Sequence, residues 1–299
     1  MKLRRTVATG LAVFLGATGL VACSSDSSSS SDSSEAASET VTIRLGTTDS
    51  TKKAWAAMED AAKENGIDLE LVNFSDYSTP NLALSQDQID VNQFQHLKFL
   101  AEYNVGNNDD LIPVGATEIV PLALFWKDHD SIDGIDGESI AIPNDPSNQG
   151  RAINVLVQAG LITLKEEAKG MVTPAPADID EAASKVTVTP VDAAQTTAAY
   201  GEGTPAIINN SFLDRAGIDP KLAVFQDDPD SEEAEPYINV FVVKAEDKDD
   251  PTVPKLVELW HTQAVQDAIA EDSKGTSVEV ERTPEELQAI LDRLEEQAQ

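Results

Sequence analysis

Residues 41–71 confine the fold more tightly than any other stretch of the chain. VTIRL at 41–45 alternates apolar and polar residues at period two and reads as a strand. Residues 50–64 carry Trp55, Met58 and Ala62 at helical spacing and stop at Asn65-Gly66, after which IDLEL at 67–71 alternates again. A strand, a helix and a strand in that order require a crossover connection. The two strands therefore pair in parallel and the helix covers one face of the sheet, so the chain is committed to a layered α/β architecture.

The alternation continues. Strands are predicted at 111–114, 118–125, 139–142, 185–189, 206–208 and 237–243, the last being the most β-prone run of all, and a helix at 152–161. A short strand at 90–96 runs into a polar and aromatic turn, and Asn81, after Pro80, is the expected cap of a short helix. Beyond 243 the pattern is wholly helical, at 253–270 and 283–297. The second of these opens Thr283-Pro284-Glu285-Glu286, a capping box with proline at the first helical position. Residues 41–299 suffice for two lobes, divided as 41–120 plus 239–299 and 121–238. A ligand of such a fold lies between the lobes, outside the carboxyl ends of the strands.

The N-terminus is expected to stand apart from the fold. Lys2, Arg4 and Arg5 precede a short apolar stretch at 7–21, too short for a comfortable membrane span, and 1–22 reads as an export signal. It ends Leu20-Val21-Ala22-Cys23, which looks like a bacterial lipobox. On that reading Cys23 becomes the lipid-modified first residue; on the blander one it is a chance cysteine after an ordinary signal. Cys23 is the only cysteine, so no intramolecular disulfide and no cysteine nucleophile in the folded part is possible. Residues 24–34 hold nine serines and two aspartates and cannot bury enough apolar surface to fold. Residues 23–40 read as the lipidated cysteine and a tether, roughly 20–25 Å from end to end.

Charge removes further classes. Fifty-three acidic against 21 basic residues give a formal net charge of −32, more negative still once the leader is lost. A field of that sign opposes nucleic acid and anionic lipid and disfavours a free polyanion as ligand, but tolerates a zwitterion. Against it stands NDPSNQGR at 144–151, where Arg151 ends a polar loop and opens the helix predicted from 152. A cation in the first turn has the wrong sign for the helix dipole, which an anion close by would make sensible. Its planar fork suits a carboxylate held by two parallel bonds; a surface pair with one of the many acids is the plainer alternative. In DVNQFQH at 90–96, taken alone, Phe94 reads as core and His96 as a satisfied histidine.

DYSTPNLAL, DVNQFQH, PNDPSNQGR, IINNSF and PYINVFVV, in that order, resemble the methionine-binding lipoproteins of bacterial ABC importers, the NlpA/MetQ type. The resemblance covers about residues 41–275. It implies a two-lobe class II periplasmic-binding-protein-like fold with a hinge, no catalysis, no cofactor, a small amino-acid ligand, and an ABC permease with its ATPase as partners. It also implies a monomer held outside the cytoplasm on the cell membrane by its lipid. By position, Tyr77, Phe94 and His96 would line the pocket, with Arg151 receiving the ligand's carboxylate. Asn209 and Asn239 would offer amide oxygens to its ammonium, and Asn144 and Asn148 would either join them or merely shape their loop. Asn210 is read as a helix cap. Where the family usually has an aromatic residue before the hinge proline, this chain has Val120-Pro121, so that wall is missing or replaced by Phe125 or Trp126.

Other classes lack their signatures. A metal receptor needs converging ligands, whereas His96, His129 and His261 are widely spaced and form no histidine-rich loop. No nucleophile elbow, zinc-protease motif or phosphate-cradling glycine loop points to an enzyme. An adhesin or structural lipoprotein with an empty cleft is the third alternative.

Overall fold

The computed structural model describes residues 40–299, and the leader, Cys23 and most of the tether lie outside them. Its elements run β1 (Val41–Thr47), α1 (Lys53–Glu64), β2 (Ile67–Asn73), α2 (Pro80–Ser85), β3 (Val91–His96), α3 (Leu97–Asn107) and β4 (Leu111–Ile119). Then follow β5 (Ala123–Phe125), β6 (Ser139–Pro143), α4 (Pro146–Gln158), β7 (Thr187–Val191), α5 (Thr196–Gly201), β8 (Ala206–Ile208) and β9 (Ala223–Gln226). The chain closes with β10 (Ile238–Lys244), α6 (Thr252–Trp260), α7 (Gln263–Asp272), β11 (Val278–Glu279) and α8 (Pro284–Ala298).

Two sheets result. The first has the order β11-β4-β10-β3-β1-β2, the second β7-β6-β8-β5-β9. β1 pairs in parallel with both β2 and β3, as a crossover helix requires, while β10 runs antiparallel between β3 and β4. In the second sheet β6 is parallel to β7 and β8, and β5 is antiparallel to β8 and β9. Both faces of the first sheet are covered. On one, Trp55, Met58, Leu256 and Trp260 pack beneath it, with the Trp55 and Trp260 rings 5.0 Å apart; on the other lie Leu97, Leu100, Leu287 and Leu291. Leu124, Ile140, Ile153 and Leu156 form the core of the second. Among the described residues no helix is long and apolar enough to cross a membrane.

Several sequence expectations are corrected. Residues 118–125 are not one strand: β4 ends in the first sheet at Ile119 and β5 starts in the second at Ala123. Between them stands Pro121, which has no N–H to give a ladder. The helix expected from 152 begins at Pro146, because Asp145 caps it by accepting the Asn148 N–H at 2.9 Å. NDPSNQGR is therefore mostly helix, and Arg151 lies in its second turn. The run 253–270 is two helices, parted where Thr262 is extended and caps α7. Asn81 lies inside α2, after Thr79 at its cap, and joins a buried amide network with Gln95 and Asn92. Helices α3 and α5 and strands β9 and β11 have no counterpart among the elements expected from the sequence.

The chain crosses between sheets twice, at residues 120–122 and again between β9 and β10. The crossings are tied together: Leu122 N–H donates to the Asp227 carboxylate at 2.8 Å, and Asp227 N–H donates to the Leu122 carbonyl at 3.2 Å.

Candidate functional site

The two sheets face each other across a chamber lined by residues of both lobes, the place where ligands of two-lobed folds are held. Tyr77, Phe94, His96, Asn148, Arg151, Asn209 and Asn239 all line it. Asn144 does not. It is exposed, one residue before the cap of α4, and the capping role belongs to Asp145.

β3 ends in the chamber, and its last residue does two things. His96 closes the strand and caps α3, its Nδ1 accepting the Phe99 N–H at 3.1 Å. That nitrogen must hold a lone pair, so the ring proton sits on Nε2, which faces Asn148 Oδ1 at 3.4 Å. Burial, reinforced by the positive charge of Arg151, drives the imidazole pKa down to about 3, so the ring is neutral. Around it Tyr77 packs on Phe94, Phe99 and Phe212 with ring centroids 4.9 to 5.9 Å apart, making an apolar wall shared by both lobes. Burial pushes the Tyr77 hydroxyl pKa up, against its bond to Ser211.

A second set of groups is oriented by one carboxylate. Asp145 can only accept, so Asn148 turns its amide N–H toward it at 2.9 Å and its oxygen away. That oxygen takes the Asn209 amide N–H at 2.7 Å, which leaves Asn209 Oδ1 facing elsewhere, buried and without a hydrogen-bond partner. Asn239, opposite His96 in the sheet register, gives its N–H to the Glu118 carbonyl at 3.2 Å, which frees its oxygen. A buried acceptor left unmade is costly, and Asn209 Oδ1 is an acceptor in a chamber wall.

Arg151 supplies the opposite polarity. It is 5% exposed. Its Nε donates to Asp227 at 2.7 Å, Nη2 donates to the Val120 carbonyl at 2.9 Å, and the guanidinium stacks 4.1 Å above the Tyr237 ring. It is thus paired with an acid, as the plain alternative had it, but inside the molecule and against the hinge rather than on the surface. Gly150 allows this position: a Cβ there would lie 2.7 Å from Thr173 Cα, so only glycine lets α4 approach that loop.

Two other expectations change. Asn210 does not act as a helix cap; its Oδ1 accepts from Lys52 of the facing lobe at 2.8 Å. Phe125 packs in the second lobe's core and Trp126 stacks on His129, and neither lines the chamber, so neither replaces the aromatic wall missing at Val120. The three histidines do not converge. His261 bonds Glu279 and the Ala116 carbonyl away from the chamber, and His129 lies against Trp126. Sequence reasoning overlooked Asp49, Lys52, Gln93, Phe99, Glu118 and Asp227, for which only position in the fold gives a signal.

Two α/β lobes, joined by a double crossing and enclosing a chamber with a buried cation and a partnerless acceptor, define a periplasmic-type substrate-binding protein. The chain belongs to the NlpA lipoprotein family, whose model matches residues 43–281, and it is a binding protein rather than an enzyme. It is 34% identical over 229 residues to the D-methionine-binding lipoprotein MetQ of Salmonella typhi, covering 75% of this chain and 82% of the relative. Its fold matches protein PG110 from Staphylococcus aureus with a TM-score of 0.79 at 35% identity, over 84% of this chain and 99% of that one. It also matches the substrate binding protein of a methionine transporter from Streptococcus pneumoniae, with a TM-score of 0.74 at 30% identity, over 80% and 95% of the two chains.

Proposed function

We propose that this protein is the substrate-binding lipoprotein of an ABC importer, held outside the cytoplasm by a lipid on Cys23, and that it binds a free amino acid, methionine foremost. The observation that carries the assignment is one chamber lined by both a buried guanidinium and a buried amide oxygen with no partner. A zwitterion matches that pair end for end. Its carboxylate goes to Arg151, whose Nε and Nη2 are already anchored, and its ammonium goes to Asn209 Oδ1 and Asn239 Oδ1. The side chain lies against Tyr77, Phe94 and Phe99, where a thioether gains about 0.3–1.5 kcal/mol per aromatic contact.

The name of the Salmonella relative and that of the Streptococcus structure support methionine as the ligand and a transporter as the destination. A second reading, another apolar amino acid or a methionyl dipeptide, is favoured by Val120, a small residue in the chamber wall. Release of the ligand to the permease and its ATPase would follow opening at the two crossings. No role for nucleic acid or metal is proposed, and the working unit is a monomer.

Mass spectrometry of the small molecules that co-purify, with thermal-shift screening of L- and D-amino acids and methionyl dipeptides, tests the assignment. Methionine should be recovered and should raise the melting temperature. A chain stabilised by no amino acid or dipeptide would contradict it.

A further inference from the structure

Beyond Val120 the chamber adjoins a smaller annex, and Asp49, Lys52, Gln93 and Glu118 line both. Three carboxylates and one lysine border this space, and two of the acids are accounted for. Asp49 pairs with Lys52 at 2.8 Å and also accepts from Thr47 and Trp55. Asp272 accepts the Ala54 N–H at the start of α1 at 2.9 Å. Glu118 differs. Its side chain accepts from the Trp260 indole at 3.2 Å and from Thr117, and among the described residues no cation stands within ion-pair distance of it. Yet it is half-buried in the chamber wall, next in space to Asn239, whose amide its own carbonyl orients. The Asn239 amide assigned above to the ammonium and this carboxyl therefore lie together on the first lobe's side of the chamber, with Asn209 on the wall of the second lobe.

We propose that Glu118 is the ionic partner of the ligand's ammonium group, so that ligand binding is coupled to release of a proton from this carboxyl. The proposal rests on the amino-acid assignment above and names a residue in that same site. Its support is electrostatic as well as geometric: desolvation by the chamber wall holds the Glu118 carboxyl at about 7, with Asp49 raising it and Lys52 lowering it. The other charged groups facing it are Asp272 from α7, Arg151 from α4, and Glu279, its strand partner on β11, which is paired with His261. At neutral pH the carboxyl is then partly protonated, and an ammonium drawn up to it favours the charged form. His96, the titratable ring of the chamber, is held near 3 and contributes no step in that range.

Calorimetric titration with L-methionine between pH 5.5 and 8.5, in two buffers of different ionisation enthalpy, reads this out on the unaltered protein. The expected result is net proton release near pH 7 and an affinity that falls as pH drops below it, by up to about tenfold per unit. Glu118→Gln should abolish the release, flatten the pH dependence and weaken binding at pH 8 by about tenfold or more. Binding without proton exchange from pH 6 to 8, or a Glu118→Gln variant with the unaltered pH slope, overturns the proposal alone. Failure to bind any amino acid at any pH overturns the amino-acid assignment and this proposal with it.

Discussion

At the scale of single residues, the site is a matter of which way amides and rings are made to point. Asp145 touches no part of the chamber, yet its acceptor-only carboxylate sets Asn148, and Asn148 sets Asn209. Asp145→Ala should let both amides flip and should cost about 1–3 kcal/mol of ligand affinity, measured by calorimetry; an unchanged dissociation constant would remove the relay. His96 makes a prediction of opposite kind. Its folded-state pKa is depressed to about 3, so the native protein resists protonation where the unfolded chain accepts it. The stability this neutral ring contributes is whole above the unfolded value of about 6.5 and is lost as pH falls toward 3. Unfolding free energy should therefore decline on acidification by at most about 1.4 kcal/mol per unit from this group. His96→Gln should show a shallower decline in denaturant titrations at pH 6.5 and 4.5; a parallel decline would mean that the native ring takes up its proton as readily as the unfolded one.

At the scale of elements, the parallel β1-α1-β2 unit and the β-prone β10 were legible because burial imposes a period on side chains, and period is what a sequence displays. The two sheets followed from that. What failed to show was punctuation. Residues 118–125 are uniformly strand-like, and only the missing N–H of Pro121 marks where the chain leaves one sheet for the other. Asp145-Pro146 carries the same cap-then-proline signature that correctly opened α8 at Thr283-Pro284, but its polar surroundings read as loop. Of the site, Arg151 was conspicuous as a cation in an acid-rich chain. The roles of Tyr77, Phe94, His96 and Asn209 came only through family resemblance. Glu118 and Lys52 were invisible, since one more charge among so many carries no information until the fold encloses it. The element that holds Arg151 also depends on a contact no pattern reveals. Gly150→Ala would drive a methyl into the Thr173 backbone and should destabilise the protein by about 1–3 kcal/mol, seen as a lowered chemical-denaturation midpoint. Wild-type stability in that variant would mean that the loop yields freely.

At the scale of the whole molecule, the two lobes meet through few polar contacts. Lys52 reaches Asn210, Arg215 reaches the Ser75 carbonyl at 2.9 Å, and His96 faces Asn148, around the Tyr77–Phe212 ring pair. Arg151 adds a connection at the hinge, because it bonds the Val120 carbonyl in one crossing and the Asp227 carboxylate in the other. A ligand carboxylate held there would be held at the hinge itself, so binding and lobe closure would share one group. Calorimetry of L-methionine against the unaltered protein and against Arg151→Ala, both checked for folding by circular dichroism, tests this most directly. Loss of binding by at least two to three orders of magnitude is the predicted result, since a buried carboxylate would be left without its charged partner. A folded Arg151→Ala protein that binds methionine as tightly as the parent would contradict the account.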